Sequence, residues 1–340
     1  MAAFETRRLG RTDLEVTTLG FGSAALGELF VEVPEPQAHA TLQTAWDAGI
    51  RYFDTAPWYG LGLAEHRLGS FLHGQKRGEF RVSSKVGRWL KPSADPEHFH
   101  SDKWAGGLPF DVVFDYGYDG IMRAVEQIWM RLTLPRIDLL LIHDLDLPHH
   151  KTDARVRAHL DRLSASGWRA LEQLKSSGVV GAVGAGINVT GMIPKLLDAA
   201  DLDAFLVAMP YTLMDQSPLA DEFPLCERHG AGIVIGGVFA SGILATGPVA
   251  GAKYNYRDAT AAELEHCRKI ERVCAAHGVP LAAAALQFPL GHPIVASVIP
   301  GALSPDQVTR NVENFRYPIP AALWSDLKSE NLIRADAPTP

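Results

Sequence analysis

The sequence predicts an α/β fold, a closed (β/α)8 TIM barrel that forms one domain over residues 1–340. Eight short apolar runs alternate with amphipathic segments of helical period, and each run has the length of one buried strand. Eight βα units in series are typical of a parallel barrel with right-handed crossovers. A chain of 340 residues exceeds the usual domain length, but barrels of this size commonly form a single domain.

The predicted strands are rich in Val, Ile, Leu and aromatic residues. They span residues 17–23, 52–56, 81–86, 137–144, 180–187, 204–211, 232–239 and 295–301. Before the first strand, the segment RRLGRTDLEV predicts a small N-terminal hairpin with Thr12 and Asp13 near its turn. After it, PQAHATLQTAWDAG predicts an amphipathic helix with Pro36 near its start and Gly49 at its end.

Two insertions interrupt this alternation, and each follows a predicted strand. Residues 87–117 follow the third strand and residues 144–165 follow the fourth, and we expect both to be long loops. Long loops in compact domains are usually functional, and barrel enzymes place their active sites at the carboxyl ends of the strands. The tail 324–340 ends in APTP, and we expect it to be frayed.

Charge and cysteine content exclude several classes of protein. The net charge of −7 provides no basic surface for nucleic acid or anionic lipid. No apolar run approaches the roughly 20 residues of a membrane span, and the N-terminal segment lacks the apolar core of a signal peptide. The three cysteines have no CxxC spacing, which argues against a disulfide framework and a zinc site. We therefore expect a cytoplasmic protein that acts on a small molecule, without a metal.

A glycine pattern near the N-terminus has two interpretations. Residues 20–25 fit GxGxxA after a strand, which is the outline of a Rossmann dinucleotide site with Asp54 as the ribose-binding acid. The spacing argues against this site, because the next helical pattern begins only near Pro34. Asp54 also follows Ala25 by 29 residues, whereas about 20 are expected. In a barrel, these glycines allow close backbone approach at a strand end.

Four reactive side chains stand where predicted strands stop. Asp54 ends the second strand, Tyr59 follows it, Lys85 ends the third strand and His143 ends the fourth. Taken singly, they are a turn former, a rim aromatic, a solvated charge and a core histidine. Taken together, they indicate a site, because consecutive strands bring their ends to one rim of the barrel.

These four groups suit proton transfer to or from a carbonyl oxygen. A phenol has a pKa of about 10, and a cation within about 4–6 Å lowers that pKa. Lys85 is the candidate cation, Asp54 would hold Lys85, and His143 would orient the reacting oxygen. Tyr59 is then a general acid for reduction or a general base for oxidation. A hydride must come from or go to a cofactor, because no side chain supplies one.

Motifs along nearly the whole chain resemble the aldo-keto reductase superfamily. They are FDTAPWYG (53–60), the strand-end Lys85, LIHD (141–144) and IPGALSPDQVTRN (299–311). The resemblance implies a (β/α)8 barrel, a nicotinamide cofactor and a catalytic tetrad of Asp54, Tyr59, Lys85 and His143. WYGLGLAEHRLGSFL, FDYGYDGIMRAVE, PYTLMDQ and GGVFASGILA further resemble the bacterial D-threo-aldose 1-dehydrogenase group, which includes L-fucose dehydrogenases and is close to pyridoxal 4-dehydrogenase and L-galactose dehydrogenase.

The resemblance also implies a set of cofactor contacts. They are Gly22, Asp54, Asn188, Phe239, Ser241, Gly242, Leu244, Pro300, Gly301, Ala302, Gln307 and Asn311. The family's Ser-Asn pair is Ile187-Asn188 here, its strand-6 Gln is Ala208, and its stacking aromatic after strand 7 is Gly236 or Gly237.

The residues after the eighth strand predict NAD rather than NADP as the preferred cofactor. Reductases of this family that prefer NADP place cations where this chain has Gly301, Leu303 and Gln307. We expect the nearby Arg310 to face away along its helix. A 2′-phosphate would then lose its hydration without meeting a cation. NADP remains the second choice.

The predicted reaction is oxidation of the anomeric hydroxyl of an aldose, such as L-fucose or D-arabinose, to its lactone, with Tyr59 as the general base. The expected substrate contacts are Trp58, Tyr59, His143 and Asp144, with Trp89, Trp104, Tyr118 and Asp146 as further pocket candidates. The alternatives within the family are a pyridoxal 4-dehydrogenase and a general aldehyde or ketone reductase.

Two alternatives belong to other classes. A metal-dependent barrel isomerase or hydrolase would use Asp54, His143 and Asp144 as ligands, but the later strands supply no further inward carboxylates. A non-catalytic barrel would bind the cofactor as a regulatory subunit, which the complete tetrad argues against.

Overall fold

A closed barrel of eight parallel strands forms the centre of the molecule, which we describe from a computed structural model over residues 4–340. The first three residues of the predicted domain lie outside the described range. We number the barrel strands β1 to β8: Phe21–Gly22, Tyr52–Asp54, Arg81–Val86, Ile137–His143, Val180–Ile187, Ala204–Ala208, Gly232–Gly236 and Val295–Val298. Each strand pairs in parallel with the next. Parallel bridges Leu19–Val298 and Gly22–Gly301 join the first unit to the last. The (β/α)8 prediction is confirmed.

Alternation along the strands divides the apolar side chains between two cores. In β4, Leu139 and Leu141 point into the barrel, whereas Leu140 and Ile142 point to the helices outside. The predicted N-terminal hairpin is also present, with strands Thr6–Arg8 and Glu15–Thr17. Its residues Leu9, Leu14 and Val16 belong to the inner core, so the hairpin covers the floor of the barrel at the amino ends of the strands.

Thirteen α-helices surround the barrel within residues 4–340. We number them α1 to α13: Glu35–Asp47, Leu63–His73, Tyr118–Leu132, Leu147–His150, Asp153–Arg162, Trp168–Ser176, Ile193–Ala199, Glu222–His229, Ile243–Thr246, Ala261–Ala276, Leu281–Gln287, Pro305–Phe315 and Ala321–Ser329. Shorter 3-10 segments are Ser23–Gly27, Tyr59–Gly62, Arg77–Glu79, Ser217–Leu219, Ala240–Gly242 and Phe288–Gly291, and a π turn spans Leu163–Gly167. The first predicted helix corresponds to α1.

The two insertions and the tail are more ordered than expected. The insertion after β3 contains an antiparallel hairpin, Arg88–Pro92 paired with Phe110–Phe114. The prediction of a long loop after β4 is wrong, because Asp146 caps α4 and Thr152 caps α5. The prediction of a frayed tail is also wrong, since α13 continues to Ser329 and Leu332, Ile333 and Ala337 are buried.

Within residues 4–340, no single helix is long and apolar enough to cross a membrane. One pair, Ala261–Ala276 followed by Leu281–Gly291 at an angle of 98°, satisfies the test by length and composition only.

Candidate active site

The four predicted tetrad residues meet at the carboxyl ends of β2, β3 and β4. The ammonium of Lys85 donates to Asp54 Oδ2 at 2.7 Å, to the Thr55 carbonyl at 2.8 Å and to the Tyr59 hydroxyl at 3.1 Å. The other Asp54 oxygen accepts from Ser83 Oγ at 2.7 Å. These bonds use all three ammonium protons of Lys85, so its position is fixed beside the phenol.

The backbone at Tyr59 and Gly60, after β2, packs closely against Gly27 in the loop after β1. Tyr59 begins the 3-10 turn Tyr59–Gly62, in which Gly60 has a φ of 64°. A Cβ on Gly60 would lie 2.7 Å from the Gly27 carbonyl oxygen, and a Cβ on Gly27 would lie 2.6 Å from the Tyr59 carbonyl carbon. Only glycines allow this approach. The Tyr59 ring then packs edge-to-face on His143, with 6.0 Å between the ring centroids.

Burial sets the charge state of the two proton-handling groups. It raises the pKa of Tyr59 well above its usual value, and the carboxylates of Asp54 and Asp144 act in the same direction. Our expectation that Lys85 would bring the Tyr59 pKa down is therefore wrong for the molecule described here, because desolvation outweighs the cations. Burial also lowers the pKa of His143 well below its usual value. At neutral pH the site holds a protonated phenol and a neutral imidazole.

A second polar group surrounds Asp144, which directly follows the tetrad histidine and has a φ of 49°. Its Oδ2 accepts from Arg88 Nη2 at 2.5 Å, and its Oδ1 accepts from Asn188 Nδ2 at 2.6 Å. Nε2 of His143 and Nε2 of His149 each lie 3.2 Å from Oδ2. Burial opposes ionisation, but these neighbours, led by His143 and Arg88, hold the pKa of Asp144 at about 2.

The metal-dependent alternative requires Asp54, His143 and Asp144 as free ligands. Asp54 is bound to Lys85 and so is not available as the ligand that the metal-dependent alternative requires. Ligand-type atoms of Asp144, Asp146 and His149 do lie within 4.8 Å of one another. Asp144 Oδ2, however, is paired with the guanidinium of Arg88, Asp144 Oδ1 accepts from Asn188, and His149 Nδ1 lies 2.7 Å from Asp146 Oδ1. Arg88 thus already provides the positive charge in this group.

Aromatic side chains form the wall beside Tyr59. The rings of Trp58 and Trp104 pack edge-to-face at 5.6 Å, and Trp104 lies 5.9 Å from the Tyr59 ring. Lys103 Nζ lies 5.7 Å from the Trp104 ring centroid and 5.1 Å from that of Tyr256. Tyr256 is at the tip of a short hairpin, Lys253–Tyr254 with Arg257–Asp258, which follows β7.

Two of the predicted pocket aromatics lie elsewhere. Trp89 neighbours Arg88 in the hairpin and therefore points to the opposite face, where Arg123 of α3 covers its ring at 4.5 Å. Tyr118 begins α3 and donates to Gln173 of α6 at 2.6 Å. The placement of Trp89 and Tyr118 in the substrate pocket is therefore wrong.

Sequence reasoning missed four polar or aromatic groups near the site: Arg88, Lys103, His149 and Tyr256. The signal for Tyr256 was the segment KYNYRD, in which the pair Asn255-Tyr256 joins two short strands with positive φ at both residues. Arg88 and Lys103 belong to the insertion after β3, and no local pattern indicates which of its side chains face inward. His149 lies in a four-residue helix, too short for a periodic signal.

Arg67 of α2 fixes the loop that leaves β1. Its Nε donates to Glu35 at 2.7 Å and its Nη1 to the Leu26 carbonyl at 2.7 Å. Its Nη2 donates to Glu28 Oε1 and to the Val33 carbonyl, both at 2.8 Å. The guanidinium is buried, and these four bonds hold the loop from both ends.

The same loop holds the insertion that carries Trp104. The Glu28 carbonyl accepts from the Ala105 amide at 2.9 Å, and the Phe30 amide donates to the Lys103 carbonyl at 3.0 Å. Arg67 therefore reaches the aromatic wall indirectly, through Glu28 and the backbone around Trp104.

A second region of exposed backbone, rich in glycine, lies after the ends of β7 and β8. Ala240, Ser241 and Gly242 have consecutive positive φ values of 49°, 65° and 112°. A Cβ on Gly242 would meet no heavy atom within 4 Å, so the backbone faces open space there. Gly301 is exposed and pairs with Gly22 across the closure of the barrel. Exposed backbone at such a strand end fits the close approach of a phosphate-bearing ligand.

The other expected cofactor contacts form three pairs. Asn311 Nδ2 donates to the Gly301 carbonyl at 3.4 Å, and Gln307 Oε1 accepts from the Leu303 amide at 2.7 Å, so both support the loop after β8. The side chains of Leu244 and Ala302 are buried in the core and do not face this region. Further along β8, Pro300 accepts the Gly22 amide at 3.1 Å, while Phe239 is partly buried beside the β7 loop.

A model of the aldo/keto reductase family matches residues 18–331. The chain belongs to this family. Among curated relatives of this aldo/keto reductase, pyridoxal 4-dehydrogenase of Microbacterium luteolum is 42% identical over 98% of this chain and 99% of that protein. D-threo-aldose 1-dehydrogenase of a Pseudomonas species is 40% identical over 96% of each protein. A solved aldo-keto reductase of Bacillus halodurans, in its holo form, is 27% identical with a TM-score of 0.75 over 98% of each chain.

As an aldo/keto reductase with dehydrogenases among its relatives, the protein is an oxidoreductase that acts on CH–OH or carbonyl groups. The Rossmann alternative is wrong. The residues after Gly22 form a 3-10 segment, Ser23–Gly27, and an extended loop rather than a helix that starts within the glycine pattern.

Proposed function

We propose that this aldo/keto reductase oxidises the anomeric hydroxyl of an aldose, such as L-fucose or D-arabinose, to the lactone. The observation that carries this proposal is the buried triplet of Asp54, Lys85 and Tyr59 beside the neutral ring of His143. Tyr59 is the proton-transfer group of the proposed pocket. One wall of this pocket is formed by Trp58 and Trp104, and the other by the polar groups around Asp144. The relative named D-threo-aldose 1-dehydrogenase supports a sugar as the substrate.

Each tetrad residue has a separate task in this reaction. The phenolate of Tyr59 removes the proton of the anomeric hydroxyl, and Lys85 compensates the phenolate charge. Asp54 holds Lys85 in place. His143 donates to the substrate oxygen and orients it. When bound, a nicotinamide cofactor would supply the hydride acceptor, so that the alcohol, having lost one proton to Tyr59 and one hydride from the anomeric carbon, would become a carbonyl.

The pocket walls match the two faces of a sugar. Trp58 is partly exposed and would offer a flat apolar surface to the C–H face of a pyranose, while the buried ring of Trp104 packs edge-to-face against it. Asp144 lies beside the tetrad with Arg88 and Asn188 as donors to its two oxygens, and a sugar hydroxyl would donate to a remaining lone pair. These contacts complete a substrate site formed by Trp58, Tyr59, His143 and Asp144.

We propose NAD as the preferred cofactor, and the open backbone after β7 and β8 supports a dinucleotide at this position. Asn188 would hold the nicotinamide amide, while Ser241, Gly242 and Gly301 would contact the phosphates. Leu303 and Gln307 carry no charge to meet a 2′-phosphate, and Arg310 is exposed on α12. We therefore expect a higher kcat/KM with NAD than with NADP, measured with one substrate.

Pyridoxal is the second candidate substrate, and the 42% identical relative favours it. The two candidates share one reactive group. An aldose in its ring form is a cyclic hemiacetal, and the aldehyde of pyridoxal forms one with its neighbouring hydroxymethyl group. Oxidation of either hemiacetal gives a lactone by the same proton and hydride transfers, so the tetrad alone does not choose between them.

A substrate panel tests the proposal. NADH formation would be followed with L-fucose, D-arabinose, D-glucose and pyridoxal, with and without a chelator. We expect turnover of L-fucose or D-arabinose that is insensitive to the chelator and absent in Tyr59→Phe. Activity with pyridoxal and none with any aldose would make pyridoxal the substrate in place of an aldose, and would leave the proposed role of the tetrad unchanged. Turnover lost with the chelator would favour the metal-dependent alternative, and no turnover with any carbonyl or alcohol would favour a regulatory subunit.

A further inference from the structure

Asp144 contacts two groups that have different tasks in the proposed reaction. Its Oδ1 accepts from the amide of Asn188, and its Oδ2 lies 3.2 Å from Nε2 of His143. Both Asn188 and His143 have two chemically different polar ends, and the function of each depends on which end faces the pocket. The carboxylate touches one end of each.

The carboxylate determines how the amide of Asn188 is oriented. An ionised carboxylate only accepts hydrogen bonds, so the Asn188 atom at 2.6 Å from Oδ1 is the NH2 group. Rotating the amide by half a turn would place its oxygen against the carboxylate and cost that bond. Asn188 Oδ1 is thereby left to accept from another donor, such as the NH2 of a carboxamide.

The carboxylate also favours one tautomer of His143. A neutral imidazole carries one N–H, and burial keeps this ring neutral by lowering its pKa. Within residues 4–340, Nδ1 is buried and has no hydrogen-bond partner, so a proton there would be an unpaired donor. A proton on Nε2 instead lies close to the negative charge of Asp144. The Nε2–H tautomer has the lower energy.

Arg88 keeps Asp144 in the required charge state. Its guanidinium is 1% exposed, donates to Asp144 Oδ2 and lies 4.9 Å from the ring of Phe114. This permanent cation is among the groups that lower the pKa of Asp144 to about 2, against the effect of burial, so the carboxylate is ionised at neutral pH. Asp144 is therefore an acceptor at that pH.

We propose that Asp144 is a positioning residue, which fixes the Nε2–H tautomer of His143 and the amide orientation of Asn188. The pocket then presents a donor to the substrate oxygen and an acceptor to the carboxamide of the cofactor. The second part rests on the proposed function, whereas the tautomer of His143 is a property of the protein alone.

The tautomer is measured by long-range proton–nitrogen NMR on protein with labelled histidine, with His143 assigned through His143→Gln. The wild-type protein is expected to show Nε2–H. In Asp144→Asn the new amide no longer provides a charged acceptor, so the Nδ1–H share should rise. Asp146→Asn is the matched control, because it removes a neighbouring carboxylate that contacts His149 instead, and its His143 pattern should equal the wild type.

The orientation of Asn188 is measured by cofactor binding in the absence of substrate. The probes are NAD and its 3-acetylpyridine analogue, which has no carboxamide NH2. We expect the wild-type protein to bind NAD about tenfold more tightly than the analogue, and Asp144→Asn to bind both about equally.

A wild-type His143 with its proton on Nδ1 overturns the proposal, and this result needs no variant that folds. A folded Asp144→Asn protein with the wild-type tautomer and the wild-type cofactor discrimination also overturns it. Lack of sugar or pyridoxal oxidation would instead overturn the proposed function and leave the tautomer result standing.

Discussion

Lys85 Nζ donates to the hydroxyl oxygen of Tyr59 across 3.1 Å, and its ammonium also lies 4.7 Å from the centroid of the same ring. In the proposed reaction the phenol is the proton-transfer group, so Tyr59→Phe should reduce kcat by about 10²–10⁴-fold. NAD affinity, measured by fluorescence, should stay within about twofold. Tyr118→Phe is the matched control on the outer surface and should keep the wild-type rate. A Tyr59→Phe enzyme with normal turnover would remove the mechanism.

Sugar oxidation should accelerate toward alkaline pH. Burial raises the pKa of Tyr59, so the phenolate that accepts the substrate proton is the minor form at neutral pH. Below that pKa the phenolate fraction grows about tenfold for each pH unit, and kcat/KM for oxidation should follow it between about pH 6 and 9. Carbonyl reduction uses the phenol and should change little over that range. A C1-deuterated sugar would establish that hydride transfer limits the rate, and a flat oxidation profile would then contradict the pKa direction.

Loss of the four hydrogen bonds that Arg67 donates should weaken substrate binding rather than cofactor binding. Lys at this position cannot make the four bonds that hold Glu28, Glu35 and two carbonyls, because an ammonium has three protons and no planar fork. Arg67→Lys should raise the substrate KM by about tenfold through the Trp104 loop, with the Kd of NAD unchanged. Steady-state kinetics and a binding titration separate the two. Arg123→Lys, on the outer face of Trp89, is the control.

A single cation should improve the use of NADP. Leu303 follows Gly301 in the loop after β8 and is partly exposed, so Leu303→Lys places an ammonium where the family places one for a 2′-phosphate. We expect the NADP to NAD ratio of kcat/KM to rise by about tenfold. Lys195→Leu changes an exposed charge far from this loop and should leave the ratio unchanged. No change in Leu303→Lys would mean that the adenosine ribose lies elsewhere.

Acid should destabilise the fold partly through His150. This ring packs against Phe114 with centroids 4.7 Å apart, and burial lowers its pKa to about 4. The unfolded chain, with a pKa near 6.5, binds the proton more readily, so this stabilisation is complete above about pH 6.5 and is lost progressively toward pH 4. The loss is about 1–3 kcal/mol of unfolding free energy.

His150 Nε2 lies 3.0 Å from the Tyr116 hydroxyl. His150→Gln tests this assignment, because the amide keeps a polar group toward Tyr116 and does not titrate. Urea unfolding at a series of pH values should show a smaller loss of stability between pH 6.5 and 4.5 in the variant. His98→Gln removes an exposed histidine and should retain the wild-type slope. An identical slope in His150→Gln and the wild type would assign the acid sensitivity to other groups.

The tetrad and the barrel were predictable because their signals are local. Asp54, Lys85 and His143 each end a run of buried strand residues, and the closure of eight such runs brings their ends together. The charge state of Tyr59 was not predictable in the same way. The desolvation that raises its pKa depends on how the loops cover the ring, and the cation that opposes this rise is Arg88 in the insertion after β3.

The contact between Arg88 and Asp144 was not predicted, because it depends on the register of the inserted hairpin. Arg88 faces Asp144, and Trp89 faces outward, only because Arg88 pairs with Phe114 in the inserted hairpin. A shift of one residue would exchange the two. The helix α4 was missed because four residues are too few to show a period, although its cap, Asp146, is a standard N-terminal signal.

The closure of the barrel has a consequence for the synthesis of the protein. Leu19 and Gly22 pair with Val298 and Gly301. The first barrel strand can therefore gain its second neighbouring strand only after nearly the whole chain has been synthesised. A nascent chain that lacks β8 already contains Asp54, Tyr59, Lys85 and His143 but not the backbone beside Gly301. The four residues proposed for proton transfer are therefore synthesised well before the barrel can close and form the proposed dinucleotide site.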